Sequence, residues 1–342
     1  MVLSEGFQGN PFLQERVPLA LPKEPQLLPA GKHGGLLDKT TTTIKPAAPF
    51  DFELTAGYHT YFQGRYATDS LEGGVYRRLL DLEGKLVLAS VQSVGSVDAP
   101  ELAVELQADD LTSGEAETAT GLVSWLLGTD QDLSPFYSHF QQDPAMSAIV
   151  QRFRGLHLPH TATVFEALVL AILGQQIAAN VARIIRTLLI ETHGLHQTFD
   201  GETYYAFPRP ETLAALPVEK LRALKLSQRK AEYVQGIAQA ALEFSPPGLE
   251  FLHEMSDDDV VKTMVELRGV GHWTAQWVLI RALGRPDALP LGDLALRRVV
   301  SRVFFQGQEQ SDAQVEEFAA RWSPWRTYAT VYLFSAMRSG MV

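Results

Sequence analysis

Residues 267–298 read LRGVGHWTAQWVLIRALGRPDALPLGDLALRR, and this stretch decides the reading of the C-terminal half. Gly269 and Gly271 flank a single aliphatic residue, Val270. Glycines in that arrangement let the backbone turn sharply between two helices. Val270 is then expected to pack inward and fix the hairpin. Beyond the turn, Trp273, Trp277, Ile280 and Arg281 recur at helical spacing. The first amides of such a helix have no internal partner. The first-turn amides of the second helix can thus bind a phosphate, helped by the helix dipole, and His272 either donates to that phosphate or is simply solvated at the helix start.

A helix C-cap glycine followed by a new helix would leave a similar trace. Leu267 and Thr274-Ala275 complete the pattern of helix, hairpin and helix, and favour the phosphate-gripping turn. Asp293 stands 22 residues beyond Gly271, at the head of another amphipathic run. An aspartate there is an ordinary N-cap. The cap does not exclude chemistry, because the dipole also favours the charged carboxylate. A charged carboxylate can stabilise an oxocarbenium-like sugar or activate a water.

Four of the five tryptophans lie between residues 273 and 325. Trp273 and Trp277 share a helix face, as do Trp325 and Tyr328. Aromatic stripes commonly belong to a core. Beside an aspartate they also suit a pocket that stacks a planar, alkylated base, whose positive charge an aromatic face attracts. A fourth element is AILGQQ, residues 171–176, where an apolar helix breaks at Gly174. Gln175 and Gln176 either cap a plain connector or enter DNA to fill the gap left by an extruded nucleotide.

The bounds on the chain agree with this picture. It has 342 residues and no cysteine, which excludes disulfides, thiolate metal sites and cysteine-ligated iron–sulfur clusters. No run approaches the roughly 18–20 apolar residues of a membrane span. Residues 1–25 lack the basic start and apolar core of a secretory signal. A cytoplasmic, nucleoid-associated protein with no membrane partner is expected. Net charge is −11, yet residues 151–342 carry 20 basic and 20 acidic side chains, so the half with the hairpin is neutral. Arg222, Lys225, Arg229 and Lys230 cluster within it.

The expected fold class is α+β. Residues 1–45 are read as a flexible leader. Residues 46–132 read as an antiparallel sheet with one helix, with strands around Glu83-Gly84 and at Glu101–Leu106. PFDFELTAGYHTYF at 49–62 adds alternating stretches to that sheet. Residues 133–342 read as an almost wholly helical body.

Together, FEALVLAILGQQI (165–177), LKLSQRKAEYVQGIAQAALE (224–243), the 267–298 stretch and RWSPWRTYA (321–329) resemble the helix–hairpin–helix DNA glycosylase superfamily. Within it, the chain resembles the bacterial 3-methyladenine DNA glycosylase II family. The resemblance implies that Asp293 is catalytic and that the amides near Gly269, Gly271 and Thr274 face phosphate. It places a structural Na+ or K+ on the carbonyls of Val265, Leu267 and Val270. It puts the base against Trp273, Trp277 and Trp325. Relatives that also cut the strand carry a Schiff-base lysine where this chain has Trp273. The implied activity is therefore a monofunctional hydrolase that flips alkylated bases, chiefly 3-methyladenine and 7-methylguanine, out of duplex DNA. It would act as a monomer and need no cofactor. A glycosylase for oxidised or deaminated bases, or a damage sensor without catalysis, would share the hairpin and aromatics.

Overall fold

The computed structural model describes residues 38–61, 64–66, 68–244 and 248–342. Among them the chain forms six strands in one antiparallel sheet, a two-stranded hairpin and fourteen α-helices. The sheet order is β1-β6-β5-β4-β3-β2. Its strands are β1 (Asp38–Ile44), β2 (Arg65–Tyr66), β3 (Asp69–Glu72), β4 (Val75–Leu82), β5 (Lys85–Ser93) and β6 (Leu102–Ala108).

β4 and β5 turn at Glu83 and Gly84, both with positive φ (51° and 113°), as a two-residue hairpin requires. One sheet face packs on α2 (Ser113–Leu126) through Tyr76, Leu80, Val87, Val91, Val104 and Leu106 against Ala119, Val123 and Leu126. A capping box of Thr112 and Glu115 starts that helix.

Three sequence expectations are corrected here. The leader does not reach residue 45, because Asp38–Ile44 pairs along its length with β6; residues 1–37 lie outside the described residues. β1 is a sheet edge exposed on most positions, so its threonines show β propensity without apolar alternation. The alternating stretch at 49–62 contains α1 (Phe52–His59), capped by Asp51, which accepts from the Leu54 amide at 3.0 Å. Phe52, Thr55, Ala56, Gly57, Tyr58 and His59 are all buried, so the helix has no polar face to reveal its period. Finally, the second half is not wholly helical. β7 (His196–Phe199) and β8 (Glu202–Tyr205) form a hairpin at Asp200-Gly201. Phe199 and Tyr204 cover the other sheet face at Leu79 and Leu88.

The helical body follows: α3 (Ser134–Phe140), α4 (Pro144–Arg152), α5 (Val164–Gly174), α6 (Ala179–His193), α7 (Pro210–Ala215), α8 (Val218–Ala223), α9 (Gln228–Glu243) and α10 (Asp257–Val265). α11 (His272–Arg281), α12 (Leu294–Phe304), α13 (Asp312–Ala319) and α14 (Arg326–Arg338) complete it. α5 and α14 are buried along most of their length and form the centre of one large core.

A buried ion cluster pins this body to the sheet. Arg78 on β4 donates to Asp69 on β3 at 3.0 Å and to both oxygens of Glu166 on α5 at 2.9 and 2.7 Å. All three side chains are nearly inaccessible. Burial pushes the Asp69 carboxyl up, but the Arg78 guanidinium and the Tyr76 and Thr68 hydroxyls outweigh it and hold it below the usual carboxylate range.

Candidate active site

The hairpin joins α10 to α11. Gly269 has φ +93°, a conformation that favours glycine, and the ring of Tyr233 on α9 lies beneath it. A Cβ at residue 269 would sit 2.3–2.8 Å from that ring. Gly271 is different. It is the N-cap of α11 with φ −100°, and a Cβ there would meet nothing within 4 Å. The sequence suggested that both glycines are needed for the turn; only Gly269 is. Val270 between them is 6% exposed, and its amide donates to the Leu267 carbonyl at 3.0 Å. Gly271 and His272 are exposed at the first turn of α11, with no side-chain cap. Their position leaves a helix N-terminus open to an anion.

Thr274 departs from expectation. It is 1% exposed, and its hydroxyl accepts from Gln175 Nε2 at 3.0 Å. Gln175 Nε2 also donates to the Gly269 carbonyl at 3.0 Å. Gln175 thus braces the hairpin instead of projecting from the loop, and Thr274 is the partner of that brace. Gln176, next in the chain, is exposed and adopts a positive φ of 55°. Ile177 beside it is 36% exposed.

Asp293 caps α12 and is half-buried. Its Oδ1 accepts from the amides of Ala295 at 2.9 Å and Leu296 at 3.1 Å. Its Oδ2 accepts from the indole N–H of Trp273 at 3.1 Å. The carboxylate is therefore fixed from two elements, by a cap and by the hairpin helix. A carboxylate oxygen accepts more than one hydrogen bond, so Oδ2 keeps capacity for a further partner. The loop that delivers Asp293 is itself held. Gln276 accepts from the Leu289 amide at 2.9 Å, Thr327 accepts from the Ala288 amide at 2.9 Å, and Asp287 pairs with Arg326 at 2.8 Å.

From Asp293 an aromatic line runs inward. The Trp273 and Trp277 rings meet edge to face at 6.3 Å, and Trp277 stacks on Phe334 at 6.1 Å and 15°. The Trp277 indole N–H is buried without a partner. Trp325 and Tyr328 belong to another aromatic group around Phe136, with ring separations of 6.4 and 5.4 Å from it. Trp325 is half-buried. Tyr328 is 6% exposed, and its expected place in a base pocket is corrected: it backs Trp325 from within the core.

Phe334, Gln276 and Tyr233 were missed in the sequence. Phe334 and Tyr233 act across the fold on partners far away in the chain, Gln276 acts on the loop after its own helix, and nothing in their local pattern marks them. Lys230 was noted only as part of a basic cluster.

The model of the HhH-GPD superfamily of base excision DNA repair proteins matches residues 169–324. A DNA-3-methyladenine glycosylase of Bacillus subtilis is 33% identical over 210 residues, covering 61% of this chain and 68% of the relative. The chain belongs to the HhH-GPD superfamily. Its fold agrees with that of a 3-methyladenine DNA-glycosylase from Archaeoglobus fulgidus, at a TM-score of 0.77, 28% identity and coverage of 87% and 98% of the two chains. An 8-oxoguanine glycosylase/lyase from Clostridium acetobutylicum, solved with double-stranded DNA, shares the fold at a TM-score of 0.70 and 15% identity, over 90% and 99% of the chains. The HhH-GPD match spans the α5–α6 loop, the hairpin and Asp293. No helix among the described residues is long and apolar enough to cross a membrane.

Proposed function

We infer that this HhH-GPD protein is a monofunctional DNA glycosylase that hydrolyses the N-glycosidic bond of alkylated bases in duplex DNA. The observation that carries the reading is the hydrogen bond from Trp273 to Asp293. Trp273 occupies the place where strand-cutting relatives would carry a Schiff-base lysine, and an indole is no nucleophilic amine. Its N–H instead orients the carboxylate. Names of the similar proteins from Bacillus subtilis and Archaeoglobus fulgidus support 3-methyladenine as substrate, with 7-methylguanine of the same chemistry.

In this reading the amides of Gly271 and His272 hold a phosphate without reading sequence. The damaged nucleotide leaves the stack, at a cost of a few kcal/mol that is least for a weakened pair. Trp273 and Trp277 contact the base through their rings. Asp293 stabilises the positive charge that grows on the deoxyribose as the base departs, and water completes hydrolysis. Alkylation has already made the base a good leaving group, so modest catalysis suffices. The protein acts as a monomer.

The carbonyls of Val265, Leu267 and Val270 would hold a monovalent cation. An all-carbonyl donor set at a helix C-terminus suits Na+ or K+ and would add attraction for the phosphate. Among the described residues no cluster of His, Cys, Asp and Glu fits a metal ion.

The test is incubation with duplexes carrying 7-methylguanine, 8-oxoguanine or hypoxanthine, with mass detection of free base and borohydride trapping. Release of 7-methylguanine with no trapped adduct supports the reading. A trapped protein–DNA adduct, or release of 8-oxoguanine alone, overturns it.

A further inference from the structure

Lys230 lies on the first turns of α9, half-buried, and its ammonium is already engaged. Nζ donates to the carbonyls of Leu173 at 2.9 Å and Gln175 at 2.6 Å. Leu173 lies in the last turn of α5 and Gln175 is its C-cap at the start of the loop that follows, so these are carbonyls that an α-helix leaves without internal partners. The same loop is tied to the hairpin by the Gln175 side chain, through Gly269 and Thr274. One turn further along α9, Tyr233 lies under Gly269, and Glu232 pairs with Arg268 of the hairpin at 3.0 Å. Three elements therefore close on one another: α9, the hairpin, and the loop 175–178. The loop carries the exposed Gln176, held at a positive φ, and the exposed Ile177.

We propose that Lys230 is a positioning residue for base release, locking the loop 175–178 at a fixed distance from the phosphate-binding hairpin. An ammonium with two carbonyl acceptors in a half-buried setting is not a free cation for DNA. Its work is done through the loop. The hairpin grips the backbone on one side of a lesion, and the loop, tied to it through Gln175, presents the exposed Gln176 and Ile177. A slack loop would leave the grip intact while the extruded nucleotide lost its register with Asp293. A misplacement of about 1 Å costs up to about a hundredfold in rate. The proposal rests on the glycosylase reading above.

Two measurements on the full chain test it. The first is single-turnover release of 7-methylguanine, beside affinity for an undamaged duplex, in Lys230→Met, Lys230→Arg and Gln175→Met. Lys230→Met is expected to lose about tenfold or more in rate with little change in duplex affinity. Lys230→Arg, which can donate to both carbonyls, is expected to restore most of the rate. Gln175→Met cuts the same tie from the other side and should reproduce the loss. A wild-type rate in Lys230→Met, or rate and duplex affinity falling in proportion, overturns the proposal. The second is hydrogen exchange of residues 175–178, which does not depend on activity. Faster exchange there in Lys230→Met, with residues of α14 unchanged, supports the lock even if no base is released by wild type. Unchanged exchange overturns it.

Discussion

Gly269→Ala probes the hairpin where the backbone leaves least freedom. The new Cβ would fall 2.3, 2.5 and 2.8 Å from three atoms of the Tyr233 ring, and the residue would have to keep a φ of +93°. A positive φ costs an L-residue roughly 1–2 kcal/mol, and forcing a methyl against a packed ring adds about 1–3 kcal/mol. The sum is a loss of about 2–5 kcal/mol, part of it relieved by movement of the hairpin. Urea denaturation reads the stability, and fluorescence anisotropy with an abasic duplex reads the binding. Gly271→Ala is the control, because its φ is ordinary and its surroundings are open; it should cost less than about 1 kcal/mol. In a double variant with Tyr233→Ala, the total should fall short of the summed single costs by about 1–3 kcal/mol, since removing the ring also removes the clash that Gly269→Ala alone creates. Gly269→Ala at wild-type stability and affinity would refute the reasoning. So would a Gly271→Ala variant as damaged as Gly269→Ala.

Three further outcomes are expected. Trp273→Phe keeps a ring but removes the donor to Asp293 Oδ2; losing a hydrogen bond to a charged group is worth about 1.5–3 kcal/mol. Single-turnover base release should fall about tenfold to a hundredfold while duplex affinity holds, and an unchanged rate would show that the indole does not orient the carboxylate. Arg78→Met would leave Asp69 and Glu166 buried without their cation, at a cost of about 3–5 kcal/mol by thermal or urea unfolding; adding Asp69→Asn and Glu166→Gln should return much of it, and no such return would dismiss the unpaired-charge explanation. Stability should also fall with acid, because burial lowers His59 from 6.5 to about 4 and His160 to about 3. Both are neutral in the fold, so the unfolded chain takes up protons first. Their contribution is complete above pH 6.5 and is lost as pH drops, towards 4 for His59 and towards 3 for His160, on the order of 3 kcal/mol for His59. Unfolding free energies at pH 7 and pH 4.5 measure this, and His59→Gln should flatten the slope.

How much was legible follows the range of the interactions. The hairpin and Asp293 are local devices: a left-handed glycine, an open helix N-terminus and a cap each write themselves into a few adjacent residues. The β4–β5 hairpin and most helices were legible for the same reason. The β7–β8 hairpin was also legible in principle, since Asp200-Gly201 sits between QTF and TYY, but it was submerged in helical surroundings. β1 and α1 failed for opposite reasons, one exposed on nearly all positions and the other buried on nearly all. In neither case does polarity alternate. The brace from Gln175 to Gly269 spans 94 residues, and that from Lys230 to Gln175 spans 55. No local pattern encodes either. Helical spacing paired Trp325 with Tyr328 correctly but could not say that the shared face is turned into the core.

The central claim is that Asp293 performs the chemistry and does not merely cap α12. Asparagine caps about as well as aspartate, and its carbonyl oxygen can keep the Ala295 and Leu296 amides. Asp293→Asn thus removes the charge and keeps the cap, while its amide nitrogen replaces the oxygen that accepts from Trp273. The decisive measurement is single-turnover release of 7-methylguanine from duplex DNA by wild type and Asp293→Asn, each with its unfolding curve and its affinity for an abasic duplex. Loss of about a hundredfold or more in rate, with folding and affinity retained, is the expected result. Wild-type release by the folded variant would contradict it and leave Asp293 a helix cap.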